Sequence, residues 1–138
     1  MYYLIYRSEA IEEMEDKALK AILGSSRKYN KEVNVTGMLL YFDSKFLQLL
    51  EGEEFAVKSI FRKICKDSRH HNIVILKEGE RMERLFPGWS MSFRTPSPEE
   101  VAAEPGYKDI YTPGSPGALD LVKLFNLLRG KKASEIVS

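Results

Sequence analysis

Two stretches with apolar residues at spacings of three and four, interleaved with short runs rich in aromatic and β-branched residues, predict an α+β domain of order βαββαββ. That alternation suits a ferredoxin-like sandwich, with both helices on one face of a mixed five-stranded sheet. A length of 138 residues matches one domain. A chain near that size hides roughly 68 to 70% of its unfolded surface, so its core needs neither a disulfide nor a metal.

Residues 2–8 carry Tyr, Leu and Ile without a helix breaker and read as the first strand, with Tyr2, Leu4, Tyr6 and Ser8 on one face. Asp16 is placed to cap a helix whose stripe is Ala18, Ala21, Ile22, Ser25, Ser26 and Tyr29, ending near Asn30. Residues 36–42 and 46–50 then form a hairpin around Asp43-Ser44-Lys45, read as a three-residue loop. Within it Phe46, Gln48 and Leu50 face one way, and Leu47, Leu49 and Glu51 the other.

After Gly52, Glu53 and Glu54 open a second helix, where carboxylates complement the positive end of the macrodipole. Its stripe is Val57, Ile60, Phe61, Ile64 and Cys65. Residues 73–76 form a fourth strand and 89–93 a fifth, with Trp89, Met91 and Phe93 on one side. The sheet face away from the helices then carries Tyr3, Ile5, Tyr41, Leu47 and Leu49, an apolar patch that needs a cover.

The Pro/Gly-rich stretch 96–117 reads as a linker. Residues 118–129 resume helical spacing through Leu121, Val122, Phe125 and Leu128, a helix suited to cap the bare face, followed by a tail to residue 138. Its apolar arc is wide enough to serve a neighbouring subunit or a signalling partner as well.

The balance of 21 Lys plus Arg against 20 Asp plus Glu gives a net charge of +1, which disfavours a nucleic-acid partner. No run approaches the ~20 apolar residues of a bilayer span, and the N-terminus is too short an apolar run for a signal peptide. With its lone cysteine, the chain reads as a cytoplasmic protein with no membrane partner.

Polar residues among apolar neighbours are the candidates for function, because a buried polar group without a hydrogen bond costs stability. Gln48 stands between Phe46 and Leu50 with an amide that both donates and accepts; Tyr6 shares a face with Leu4; Asn30 falls at a helix end. Each alone has an ordinary reading: an edge residue satisfied by backbone, a core tyrosine, a helix terminus. Adjacent His70 and His71 point apart in a strand, so no metal site follows. Cys65 reads as a small core residue, Glu51, Glu53 and Glu54 as the acidic start of a helix, and Arg27, Lys28 and Lys31 as a solvated helix face.

Together the residues carry a resemblance. Leu4-Ile5-Tyr6-Arg7-Ser8, the segment from Ser26 to Asn30, Val35-Thr36-Gly37-Met38-Leu39, Phe46-Leu47-Gln48-Leu49-Leu50-Glu51-Gly52, Asp67-Ser68-Arg69-His70 and Phe86-Pro87-Gly88-Trp89-Ser90-Met91 resemble, in order, the motifs of the BLUF domain, the blue-light sensor using FAD. The likeness runs from residue 1 to about 95. It implies a photosensor domain over 1–95 with FAD between the two helices. It also implies Ile22 and Ile64 flanking the ring, Asn30 on its pyrimidine edge, and Ser26, Tyr29, Lys63, Asp67, Arg69 and His70 among the contacts. Tyr29 stands at a position that varies in the family among His, Asn and other planar residues.

The resemblance further implies that Tyr6 gives the photoexcited flavin an electron and a proton by way of the Gln48 amide, which ends rearranged. The altered hydrogen bond shifts the absorption reversibly to the red. Trp89 and Met91 would compete for the place beside Gln48 and pass the change to the last strand. The expectation is a short photoreceptor without an enzyme domain, a homo-oligomer whose contact with a downstream protein depends on light. The rivals are a flavin-dependent redox enzyme using the same pocket and a ferredoxin-like domain without flavin.

Overall fold

The computed structural model describes residues 1–88, 90–95 and 99. The elements are β1 (Tyr2–Ala10), α1 (Asp16–Glu32), β2 (Thr36–Phe42), β3 (Lys45–Gly52), α2 (Glu54–Cys65), β4 (His70–Glu80) and β5 (Ser92–Arg94), in the order expected. The sheet runs β4-β1-β3-β2-β5. Its ladders are antiparallel apart from β2 with β5, so the sheet is mixed.

Strand alternation splits the core in two. Leu4, Tyr6, Leu39, Tyr41, Phe46 and Leu50 pack with Leu19 and Leu23 of α1 and Val57 and Ile60 of α2. On the far face Tyr3, Ile5, Met38, Leu40, Leu47 and Leu49 pack with Leu85 and Phe86. Tyr41 therefore lies on the helix face, against expectation: it is paired with Phe46 across the hairpin, and directly opposed residues share a face. Its hydroxyl accepts the Met14 N–H at 3.0 Å.

The hairpin turn is tighter than predicted. Phe42 pairs with Lys45, leaving Asp43 and Ser44 as the loop with φ of 50° and 58°. Both central residues in the left-handed region mark a type I′ turn, whose twist matches that of the strands. Gly37 has its own necessity: a Cβ there would collide with the backbone carbonyl of Leu49.

Asp16 is the first helical residue, and the cap position is Glu15, which makes no side-chain capping bond. The buried line of α1 is Leu19, Leu23 and Asn30, one position on from the predicted stripe, while Ala18, Ala21 and Ser25 are exposed. One residue is about 100° of helical rotation, and the larger leucines claim the core. The helix ends beyond Asn30. Asn34 adopts φ 57° and donates to Lys31 O at 3.3 Å, and Val35 donates to Asn30 O at 2.9 Å. That pair of bonds around a left-handed residue is a Schellman cap, and it fixes Asn30 in the last turns.

Cys65 is exposed rather than core, being the residue after Ile64 at the end of α2 and rotated off the buried line. β4 is longer than expected. It lies at the sheet edge, and register shifts against β1 prevent simple alternation of its burial. β5 begins at Ser92, so Met91 precedes it. Trp89, the 96–117 linker apart from Glu99, and the 118–138 helix and tail lie outside the described residues.

Candidate functional site

A cleft of about 570 Å³ opens between α1 and α2 above the helix-facing side of the sheet. That is the size range of small-molecule and cofactor sites, about 300 to 1,000 Å³. Ile22, Ser26, Tyr29, Asn30, Gln48, Lys63, Ile64, Asp67, Arg69 and His70 all line it, as does Tyr6. The sequence singled out these residues, and the fold brings them together. Met14, Lys28, Glu32, Leu39, Phe46 and Ile60 also line it. Leu39 and Phe46 were findable, since strand register puts both on the face of Gln48. Met14 comes from the β1–α1 connection, which has no periodicity to read.

Sheet register sets the inner end of the cleft. Tyr6 is directly opposite Gln48 across the β1–β3 ladder, and both are buried. The Tyr6 hydroxyl donates to Gln48 Oε1. Gln48 Nε2 in turn donates to Met91 Sδ at 3.2 Å, and a thioether is a weak acceptor. The amide thus holds a strong donor on one side and a weak acceptor on the other. Burial pushes the Tyr6 phenol well above its ordinary pKa, with smaller contributions from Cys65 and Asp67, so the ring stays protonated at neutral pH. Phe61 packs beside it at 5.4 Å between centroids.

Asn30 is 2% exposed and donates through Nδ2 to Ser90 O at 3.0 Å. His70 is bonded at both ring nitrogens. Its Nδ1 lies 2.8 Å from Ser8 Oγ and its Nε2 2.6 Å from Ile64 O. A carbonyl only accepts, so Nε2 carries a proton, and the ring ties the end of α2 to β1.

The outer end is charged. Asp67 takes hydrogen bonds from the Arg69 backbone and guanidinium, which hold its carboxyl below the ordinary carboxylate range. Lys63 Nζ sits 3.4 Å from the centroid of the Tyr29 ring, a cation–π contact across the two helices. Lys28 is an exposed cation at the rim, but Arg27 is no solvated residue: it is half-buried and donates to Met91 O at 2.8 Å.

Glu51 is not part of the acidic helix start that Glu53 and Glu54 form. It belongs to β3 and is 1% exposed. Among the described residues no cluster of His, Cys, Asp and Glu is arranged for a metal ion, and no helix is long and apolar enough to cross a membrane.

Residues 1–92 match the family model described as BLUF, sensors of blue-light using FAD. A blue light- and temperature-regulated antirepressor of Escherichia coli K12 is 45% identical over 73 residues, covering 53% of this chain and 18% of that protein. Photoactivated adenylate cyclase subunit beta of Euglena longa is 32% identical over 108 residues, covering 78% of this chain and 12% of that protein. Among solved structures, BlsA in its ground state superposes with a TM-score of 0.80 at 30% identity, covering 99% of this chain and 93% of that one. The dark-state BLUF protein BlrB gives 0.77 at 28% identity, covering 93% and 94%.

Proposed function

The chain belongs to the BLUF family of blue-light sensors using FAD, and we propose that the cleft between α1 and α2 holds FAD with Tyr6 and Gln48 as its photoactive pair. The observation that carries this reading is one buried amide hydrogen-bonded to one buried phenol at the inner end of a cofactor-sized cleft. The residues fit a flavin. Ile22 and Ile64 offer apolar side chains from the two helices for a planar ring. The amides of Asn30 and Gln48 supply donors and acceptors in the deep part, and Gln48 Nε2 has only a sulfur as partner among the described residues. Lys28, Lys63 and Arg69 bring positive charge to the exposed rim, suited to phosphate.

A bound flavin supplies blue-light absorption and an excited state that accepts an electron. Tyr6 would give up an electron together with the proton that it already donates to Gln48 Oε1. The Gln48 amide would take that proton at Oε1 and release one from Nε2 toward the reduced flavin, because an amide accepts on one side and donates on the other. When electron and proton return to Tyr6, the amide is left rearranged, so its donor and acceptor atoms have exchanged neighbours. Nothing is consumed, and the chain acts as a sensor rather than an enzyme. The relatives named above are a light-regulated antirepressor and a photoactivated cyclase, which supports an output through light-dependent protein contacts.

The test is optical. The purified protein should be yellow with flavin bands and show a reversible red shift under blue light without reductant, and Gln48→Leu should bind flavin but lose the shift. A colourless protein, or a normal photocycle in that variant, overturns the proposal.

A further inference from the structure

We propose that Glu51, on the sheet face opposite the cleft, is a positioning residue for the Gln48 amide, acting through the segment that joins β4 to β5. This rests on the reading of Gln48 given above. Glu51 is 1% exposed, and its carboxylate accepts three hydrogen bonds among the described residues. Oε1 accepts the Leu85 N–H at 2.8 Å, and Oε2 accepts the Phe86 N–H and the Thr36 hydroxyl, each at 2.8 Å. Arg84 braces the same loop, donating to Thr36 Oγ1 at 2.8 Å, Asn34 O at 2.9 Å and Glu51 O at 3.3 Å. A carboxylate buried this completely is costly unless each bond is kept, so the loop has one seat.

From that seat the chain crosses to the other side of the sheet. Leu85 and Phe86 belong to the far-face core, whereas Met91 belongs to the helix-face core. At the cleft end Ser90 O is held by Asn30, Met91 O by Arg27, and Met91 Sδ receives Gln48 Nε2. The segment is pinned at both ends, and the pin on the cleft side includes the amide itself. Gln48 and Glu51 also lie on the same strand, on opposite faces. A change at one end therefore shifts the bonding geometry at the other.

The experiment compares Glu51→Gln, Thr36→Val and Arg84→Gln with wild type in the flavin-loaded protein. Glu51→Gln keeps the shape but turns an acceptor into a donor facing a backbone N–H; the other two loosen the loop without doing so, and they serve if Glu51→Gln fails to fold. Expected are faster amide exchange at Leu85 and Phe86, a displaced Gln48 side-chain amide resonance in the dark, and dark recovery altered by about fivefold or more. Met91→Leu should remove most of the effect on recovery. If Leu85 and Phe86 loosen while the Gln48 resonance and recovery stay as in wild type, the inference is overturned. A wild-type protein with no light-induced shift instead refutes the photosensory reading, and the dark resonance of Gln48 still decides whether Glu51 positions it.

Discussion

Tyr6 joins two requirements that ordinarily conflict: its hydroxyl is shut away from water and yet must keep a partner for its proton. The cross-strand position of Gln48 meets both, since directly opposed residues in an antiparallel ladder stand within side-chain reach. Tyr6→Phe keeps the ring but deprives Gln48 Oε1 of its donor. The expected result is retained flavin, no reversible shift, and a loss of about 1 kcal/mol in urea unfolding; a photocycle like wild type would contradict the assignment of Tyr6. Asp67 makes a different prediction. Arg69 holds its carboxyl below the ordinary value of 3.8, so its contribution is present above that pH and is lost as the pH falls through the lowered value. The pair is part-exposed and solvent-screened, so the effect is small. Asp67→Asn should therefore lower stability slightly at about pH 6, and the gap to wild type should narrow steadily as the pH is taken below the ordinary carboxylate value, checked by urea unfolding across a descending pH series.

The β2–β3 hairpin is the element that delivers Gln48, and its register depends on two backbone features. Asp43 and Ser44 make the two-residue turn, and Gly37 lets β2 lie close to the Leu49 carbonyl. Gly37→Ala pushes backbone against backbone, so it should cost about 1 to 3 kcal/mol and disturb the light-induced shift by displacing Gln48. Calorimetric unfolding and the difference spectrum check both, and an unaffected variant would show that the strands yield without cost. The faces of β1 and β3 were legible because alternation is strict where a strand is paired on both sides. The α1 stripe slipped by one residue because Ile22, Ser26 and Tyr29 face a cleft rather than the core, and a cleft wall looks like a core stripe in sequence. Glu51 was illegible for another reason: besides the Thr36 hydroxyl its partners are the backbone amides of Leu85 and Phe86, which no side-chain pattern reveals. Tyr41 and Cys65 were each misplaced by the parity or rotation of a single position.

α1 and α2 are each anchored to the sheet through their own residues, Leu19 and Leu23 for one, Val57 and Ile60 for the other. Across the cleft the described bridge is the Lys63–Tyr29 contact, worth about 0.5 to 1 kcal/mol at an exposed site. A flavin seated between Ile22 and Ile64 would bury apolar surface of both helices at once and make them one unit. Binding to the native state alone stabilises by about 2.7 kcal/mol when free ligand is a hundred times its Kd. For a chain of 138 residues that corresponds to a melting temperature about 10 °C higher than in the flavin-free protein. Removing the flavin should also expose α1 and α2 to amide exchange before β1 and β3, because the sheet core stays packed without it. An unchanged melting temperature, or protection lost first from the central strands, would mean that the ligand does not bind between the helices.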